Sequence, residues 1–379
     1  MTEAAPRAGL YVHLPYCRSR CEYCSFVVTT DASSRATYLA ALETEASFAA
    51  EEASGALFDS LYFGGGTPSL IPPEDLARLT SRLRTLFSFA PDSEITMEAN
   101  PDDVSPELVL RWTAAGVNRI SLGVQSFADR ELAAVGRRHD AASARAALET
   151  LLDRGLSVSG DLILGLPEQT PGTFRASARE LAGSGAGHVS VYLLETEKSK
   201  VIEEDRARRP ERYLTDDAQA DLWLELGETL DRSGLHHYEI SNWARPGARA
   251  RHNEKYWLRI PTLGLGISAH EFWSGRRRAN VSGLPAYCDT LASGRRPTAL
   301  DRSIGAAEEA RERIVLGLRL SDGVSTDEIE RWIATEGDPR LSEDYASWRA
   351  AGLLVAAGDR LRFSEPGFLI SNEILCRFV

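Results

Sequence analysis

The sequence predicts an α/β fold: an incomplete barrel of six β/α units followed by a small α+β unit of winged-helix type. Two observations predict it. Over the first 240 residues, short β-rich runs alternate six times with helical stretches, the pattern of parallel strands joined by right-handed crossovers. Six units are fewer than the eight of a closed barrel. Beyond residue 300 the order changes to helices followed by a hairpin.

The strands are expected at 9–14, 60–63, 94–98, 119–124, 158–164 and 188–194. The helices between and after them fall at 33–53, 73–87, 106–115, 141–154, 173–184 and 215–234. Pro73 stands before Glu74 and Asp75, and Ser105 is placed to cap a helix whose first residue is Pro106. Gly116 and Gly155 occupy the left-handed position that ends a helix. Residues 1–240 therefore form the barrel unit. Residues 241–300 read as a loop-rich connection containing His252-Asn253-Glu254-Lys255-Tyr256-Trp257. Residues 301–379 form the accessory unit, with helices at 306–320, 326–336 and 342–351 and strands at 353–356 and 360–363.

Composition narrows the function. The chain has 379 residues, 43% apolar and 26% charged, enough for one large unit and a small one. A net charge of -12 argues against general nucleic-acid binding. Five cysteines do not make a disulfide framework at this length and suit a reducing compartment. Residues 1–9 lack the apolar core of a signal peptide, and no run approaches the length of a membrane span. A cytoplasmic protein without a transmembrane segment is expected. One stretch is locally basic: between Arg245 and Arg278 eight basic residues stand against two acidic ones. That excess reads either as a site for an anion or as an arginine-rich solvated surface.

Cys17, Cys21 and Cys24 are spaced C-x3-C-x2-C directly after the first strand. A cubane iron–sulfur cluster takes four thiolates. Three on one loop leave one iron open, and S-adenosylmethionine can chelate such an iron through its amino and carboxylate groups. The competing reading is a Cys3His zinc site completed by His13. Cys288 and Cys376 are isolated and read as small buried apolar residues. Gly64-Gly65-Gly66-Thr67-Pro68 follows the second strand; its amides are placed to meet a ligand, and no Lys-Ser/Thr follows as in a phosphate loop. Glu98, Gln125, Arg137 and Asp161 belong to successive units of the same rim. Asp161 sits in an apolar strand and needs a polar partner.

These motifs resemble radical S-adenosylmethionine enzymes. With Gly123-Val124-Gln125-Ser126-Phe127 and Asp161-Leu162-Ile163-Leu164-Gly165-Leu166-Pro167 they are similar to the oxygen-independent coproporphyrinogen III oxidase group, over nearly the whole chain. The resemblance implies a [4Fe-4S] cluster on Cys17, Cys21 and Cys24. It implies S-adenosylmethionine contacts from Tyr11, Tyr23, Gly65, Gly66, Thr67, Glu98, Gln125, Arg137 and Asp161. Two departures redirect the function. The oxidases show a further cysteine two residues after the third, where this chain has Phe26, and they carry a longer N-terminal segment. Conversely, His252-Asn253-x-x-Tyr256-Trp257 matches the H-N-x-x-Y-W motif of the HemW branch of haem chaperones.

The HemW resemblance implies haem as cargo and haem-acceptor proteins as partners, membrane respiratory proteins among them. His252 is a usual type of axial ligand for haem iron. Tyr256, Trp257 and Trp243 are suited to line a porphyrin face, and the nearby arginines to pair with propionates. An oxidase of coproporphyrinogen III and a radical enzyme on another substrate remain the alternatives. Monomer and dimer stay equally open.

Overall fold

The structure, a computed structural model, describes residues 7–379. Its six expected strands are β1 (Ala8–Leu14), β2 (Leu57–Gly65), β3 (Ser88–Ala99), β4 (Arg119–Gln125), β5 (Ser157–Leu164) and β6 (His188–Leu193). They lie side by side in chain order and pair in parallel. The crossover helices follow the local signals. Pro73–Leu86 and Pro106–Ala114 begin at proline, and the Ser105 hydroxyl accepts the Leu108 amide at 3.2 Å.

The region 241–300, expected as loop-rich, instead extends the sheet at both ends. β7 (His236–Glu239) and β8 (Asn242–Ala244) add antiparallel beyond β6. β9 (Thr262–Leu265) runs parallel to β1, and β10 (His270–Trp273), β11 (Arg276–Asn280) and β12 (Thr298–Ser303) continue antiparallel from it. The result is an open sheet of twelve strands. These added strands are short, and β12 is exposed along its whole length, so they lack the apolar alternation by which a strand is recognised. Charge pairing holds them instead. Arg276 meets Asp301 at 2.8 Å, Arg278 meets Glu271 at 2.6 Å and also pairs with Glu52, and Arg277 meets Glu312 at 2.8 Å.

Of the two readings of the basic stretch, an anion site or an arginine-rich surface, the ion pairs count against the first. Arg249 is bonded to Asp322 and Glu254, Arg251 to Asp92, Lys255 to Asp59 and Arg259 to Glu309 and Glu312. Arg245 donates to the Ser233 carbonyl. The local excess of positive charge is neutralised by carboxylates distant in sequence.

The two faces of the six-stranded core differ in chemistry. Leu10, Val12, Leu14, Leu61, Phe63, Met97, Ile120 and Leu122 are fully buried against the helices. Their alternates on the same strands, Tyr11, His13, Ser60, Tyr62, Glu94, Glu98, Ser121 and Asp161, turn to the interior of the barrel. The interior is thus a polar lumen, with the helix layer supplying the hydrophobic stabilisation.

The accessory unit has its own core, built on Ile314, Leu318, Ile329, Leu361, Phe363 and Phe378. Three short strands, Val324–Ser325, Leu354–Ala357 and Arg360–Phe363, stand beside its helices. It is joined to the barrel through backbone bonds from Ile240 to Arg319 and from Ser321 to Tyr238.

Candidate functional site

The rim of the lumen is built around the cysteine loop. The loop closes on itself, with the Cys17 amide donating to the Thr29 carbonyl at 2.9 Å and the Thr29 amide to Pro15 at 2.8 Å. All three thiols are partly buried and unpaired, and burial pushes those of Cys17 and Cys24 up. The expectation that the other two cysteines are buried is corrected, since Cys288 is half-buried and Cys376 exposed. The Thr67 hydroxyl reaches the Cys17 sulfur at 3.4 Å, and the Arg137 guanidinium reaches the Cys21 sulfur at 3.7 Å. Arg137 is anchored by Asn100 Oδ1 at 2.7 Å and the Gly123 carbonyl at 2.5 Å; Asn100 in turn donates to Thr67 at 3.3 Å. Cys17, Thr67, Asn100, Arg137 and Cys21 therefore form one hydrogen-bonded chain along the loop. Asn100 is not among the site residues that the sequence suggests. Its neutral amide gave no signal, and its role emerges from the partners it joins.

His13 is not placed to complete a zinc site. Its Nδ1 is bonded to the Tyr11 hydroxyl at 3.1 Å and its Nε2 to the Val27 carbonyl at 2.9 Å. Among the described residues no three His, Cys, Asp or Glu converge on a single ion. The donor set is three thiols on one loop with a hydroxyl and a guanidinium bonded to two of the sulfurs. It fits a cluster whose irons each take a separate thiolate, and hydrogen bonds to sulfur are among the usual means of tuning one. Beside it, Gln125 Oε1 and Arg137 Nε are buried without a partner, and Gln125 is held at φ 66°. A non-glycine residue in the left-handed region at a strand end, with an unspent amide oxygen, marks a place built for a ligand.

The glycine run is tighter than a turn requires, but its amides are already engaged. Gly65 donates to Glu98 Oε2 at 3.0 Å, Gly66 to the Leu14 carbonyl at 2.9 Å and Thr67 to the Tyr16 carbonyl at 2.8 Å. The expectation that these amides face a ligand is corrected accordingly. The glycines are needed for close approach: at Gly65, φ 112°, a Cβ would lie 2.4 Å from the His13 ring.

Below the rim, Asp161 accepts from Ser121 at 2.9 Å and from Ser159 at 3.3 Å, which supplies the partners its strand position demanded. Burial lifts its carboxyl to about 6. Glu98 accepts from the Tyr62 hydroxyl at 2.9 Å, and burial lifts it to about 7. Glu239, at the end of β7, is likewise raised by burial to about 7, and its Oε1 has no partner. Tyr23 receives a bond from Arg137 at 3.5 Å and packs with Ile163, Leu166 and Ile202. Tyr192, at the end of β6, remains 44% exposed although Asp161, Glu239 and Glu98 all act on its hydroxyl. These side chains line the lumen.

Its floor is the helix Arg251–Trp257. The amides of Arg251 and His252 donate to the two oxygens of Glu94 at 3.1 and 3.0 Å, and Lys255 bonds Asp59 at 2.6 Å. The helix lies so close to β1 that a Cβ at position 9 would meet Lys255 Cδ at 2.8 Å. His252 is 1% exposed and stacks on Tyr62 at 5.1 Å. Both its ring nitrogens are engaged, Nδ1 with Ser60 Oγ at 2.9 Å and Nε2 with the Tyr256 hydroxyl at 3.0 Å. This geometry counts against His252 as an axial ligand. Trp243, also expected at a porphyrin face, is fully buried under His237.

A parallel β/α core with a three-cysteine loop at its rim defines a radical S-adenosylmethionine protein. The Radical SAM superfamily model matches residues 11–181, and the HemN C-terminal domain model matches 305–370. The fold is that of Escherichia coli coproporphyrinogen III oxidase (HemN), described as a radical SAM enzyme, with a TM-score of 0.85 over 99% of this chain and 90% of that one, at 24% identity. A Mycobacterium tuberculosis protein named heme chaperone HemW is 35% identical, covering 97% of this chain and 93% of its own. The Bos taurus mitochondrial radical S-adenosyl methionine domain-containing protein 1 is 37% identical over 97% of this chain and 86% of its own. The chain belongs to the HemW family. Among the described residues no helix is long and apolar enough to cross a membrane.

Proposed function

We propose that this chain is a haem chaperone: it takes up haem in the barrel lumen and passes it to acceptor proteins, membrane respiratory proteins included. The observation that carries this reading is full-length likeness to proteins named heme chaperones, at 35% identity over 97% of the chain. Phe26 supports it. It is 65% exposed beside the cysteine loop and stands where the oxidases resemble one another in a further thiol. Cys17, Cys21 and Cys24 hold a [4Fe-4S] cluster. Tyr11, Tyr23, Gly65, Gly66, Thr67, Glu98, Gln125, Arg137 and Asp161 form the S-adenosylmethionine pocket. When bound, cluster and cofactor together supply one-electron cleavage of the sulfonium bond. The protein works in the cytoplasm, where free thiols stay reduced.

Within this pocket each residue has a definable task. Arg137 lowers the local negative charge at the thiolate loop. Gln125 offers an unspent amide oxygen to an ammonium or hydroxyl. Burial raises the carboxyls of Asp161 and Glu98 to about 6 and about 7, and a cationic ligand beside them favours their ionised, accepting form.

The test is to incubate anaerobically reconstituted protein separately with haem and with coproporphyrinogen III. Stoichiometric haem uptake, transfer to an apo-acceptor and no decarboxylation are expected. Sustained decarboxylation of coproporphyrinogen III would replace this reading with the oxidase.

A further inference from the structure

The geometry points to Tyr256, held by His252, as the residue of the floor helix that ligates haem iron, through its phenolate oxygen. This inference rests on the haem reading above and names its site. Ser60, His252 and Tyr256 form a linear relay from β2 into the lumen, with contacts of 2.9 and 3.0 Å. Its members differ sharply in access: His252 is 1% exposed and Tyr256 40%. The two residues are four apart on one helix, so they share a face. Of the three members only Tyr256 is exposed toward an incoming ligand.

The relay suits a phenolate ligand. His252 is buried, with Nδ1 on the Ser60 hydroxyl and Nε2 on Tyr256. A neutral imidazole with one nitrogen on Ser60 has the other available to donate to a tyrosine oxygen. That bond orients the ring and stabilises negative charge on the oxygen once iron binds, the task of a partner behind a metal ligand. Tyrosine is an established haem ligand type.

The step balances without a redox change. The iron–oxygen bond to hydroxide in aqueous ferric haem breaks, and an iron–phenolate bond forms. The phenolic proton leaves with the hydroxide as water, and iron remains ferric.

Ferric haem is titrated into the reconstituted full chain, and the complex is read by absorption and resonance Raman spectroscopy. The wild type should show phenolate-to-iron charge transfer and tyrosinate modes. Tyr256→Phe removes a single hydroxyl from an exposed residue; with its fold confirmed by circular dichroism, it should lose those modes. His252→Gln should keep the modes at shifted energy, with haem affinity lowered roughly 10–100-fold as for a lost second-sphere partner. Unchanged modes in His252→Gln would overturn the positioning role. Wild-type binding with an imidazole or thiolate signature, untouched by Tyr256→Phe, would overturn the ligand assignment and leave haem carriage standing. Absence of wild-type haem binding would overturn the haem reading itself.

Discussion

Substituting Glu45 with glutamine should flatten the dependence of stability on pH. Glu45 lies on the first helix, Arg35–Glu52, fully enclosed against the added strands. It accepts from the Gly266 amide at 2.7 Å, Asn280 Nδ2 at 2.5 Å and the Tyr287 hydroxyl at 2.5 Å. Burial outweighs these donors and lifts its carboxyl from 4.5 to about 7. The native state therefore keeps a proton that the unfolded chain has released. The resulting stabilisation is fully present below pH 4.5 and is lost as pH rises through about 7. Linkage gives about 2.5 kcal/mol at pH 5 and almost nothing at pH 8. Urea unfolding of both proteins at several pH values isolates this group, because Glu98, Glu239 and Asp161 shift in the same direction in each. From pH 5 to pH 8 the wild type should lose about 2.5 kcal/mol of stability relative to the variant. Parallel curves would refute the reasoning and place a permanently ionised carboxylate in that pocket.

Three further outcomes are expected. Alanine at Cys17, Cys21 or Cys24 should abolish the brown chromophore of reconstituted protein, which should hold about four irons, while Cys288→Ala and Cys376→Ala leave it intact; iron analysis decides. Asp161→Ala should weaken S-adenosylmethionine binding by roughly 1–3 kcal/mol in calorimetry without loss of iron. Glu94→Ala removes the acceptor of two helix amides and the carboxylate 3.9 Å from buried Arg119. It should cost roughly 3–5 kcal/mol of stability in denaturant melts.

The barrel was legible because its strands and helices carry the two periodicities on which such reading rests. The cysteine loop, the glycine run and Asp161 were legible because each breaks the local pattern. The stretch 241–300 was not. β10 to β12 are held by ion pairs such as Arg278 with Glu52, 226 residues away in sequence, and no local window contains both partners. The glycine run misled in a specific way. Three glycines announced close approach, but the neighbour approached is the His13 ring and the Glu98 carboxylate, which only the β1–β2 and β2–β3 pairings bring there. The arginine excess stayed ambiguous for the same reason, since counter-charges to it lie in the first helix, β3 and the accessory unit.

The H-N-x-x-Y-W motif shows the same limit from the other side. The sequence marked the residues but not which way each faces. On the helix Arg251–Trp257, His252 and Lys255 turn into the barrel, toward Ser60 and Asp59, with Tyr256 closing on His252. Trp257 lies elsewhere, with the Arg319 guanidinium 5.4 Å above its ring. Arg319 belongs to the turn that follows the first accessory helix, and its carbonyl receives the Ile240 amide beside Glu239. One short helix thus fixes the lumen floor with one face and meets the accessory unit with another. A substitution at Trp257 or Arg319 should therefore reach the lumen through Tyr256 and Glu239.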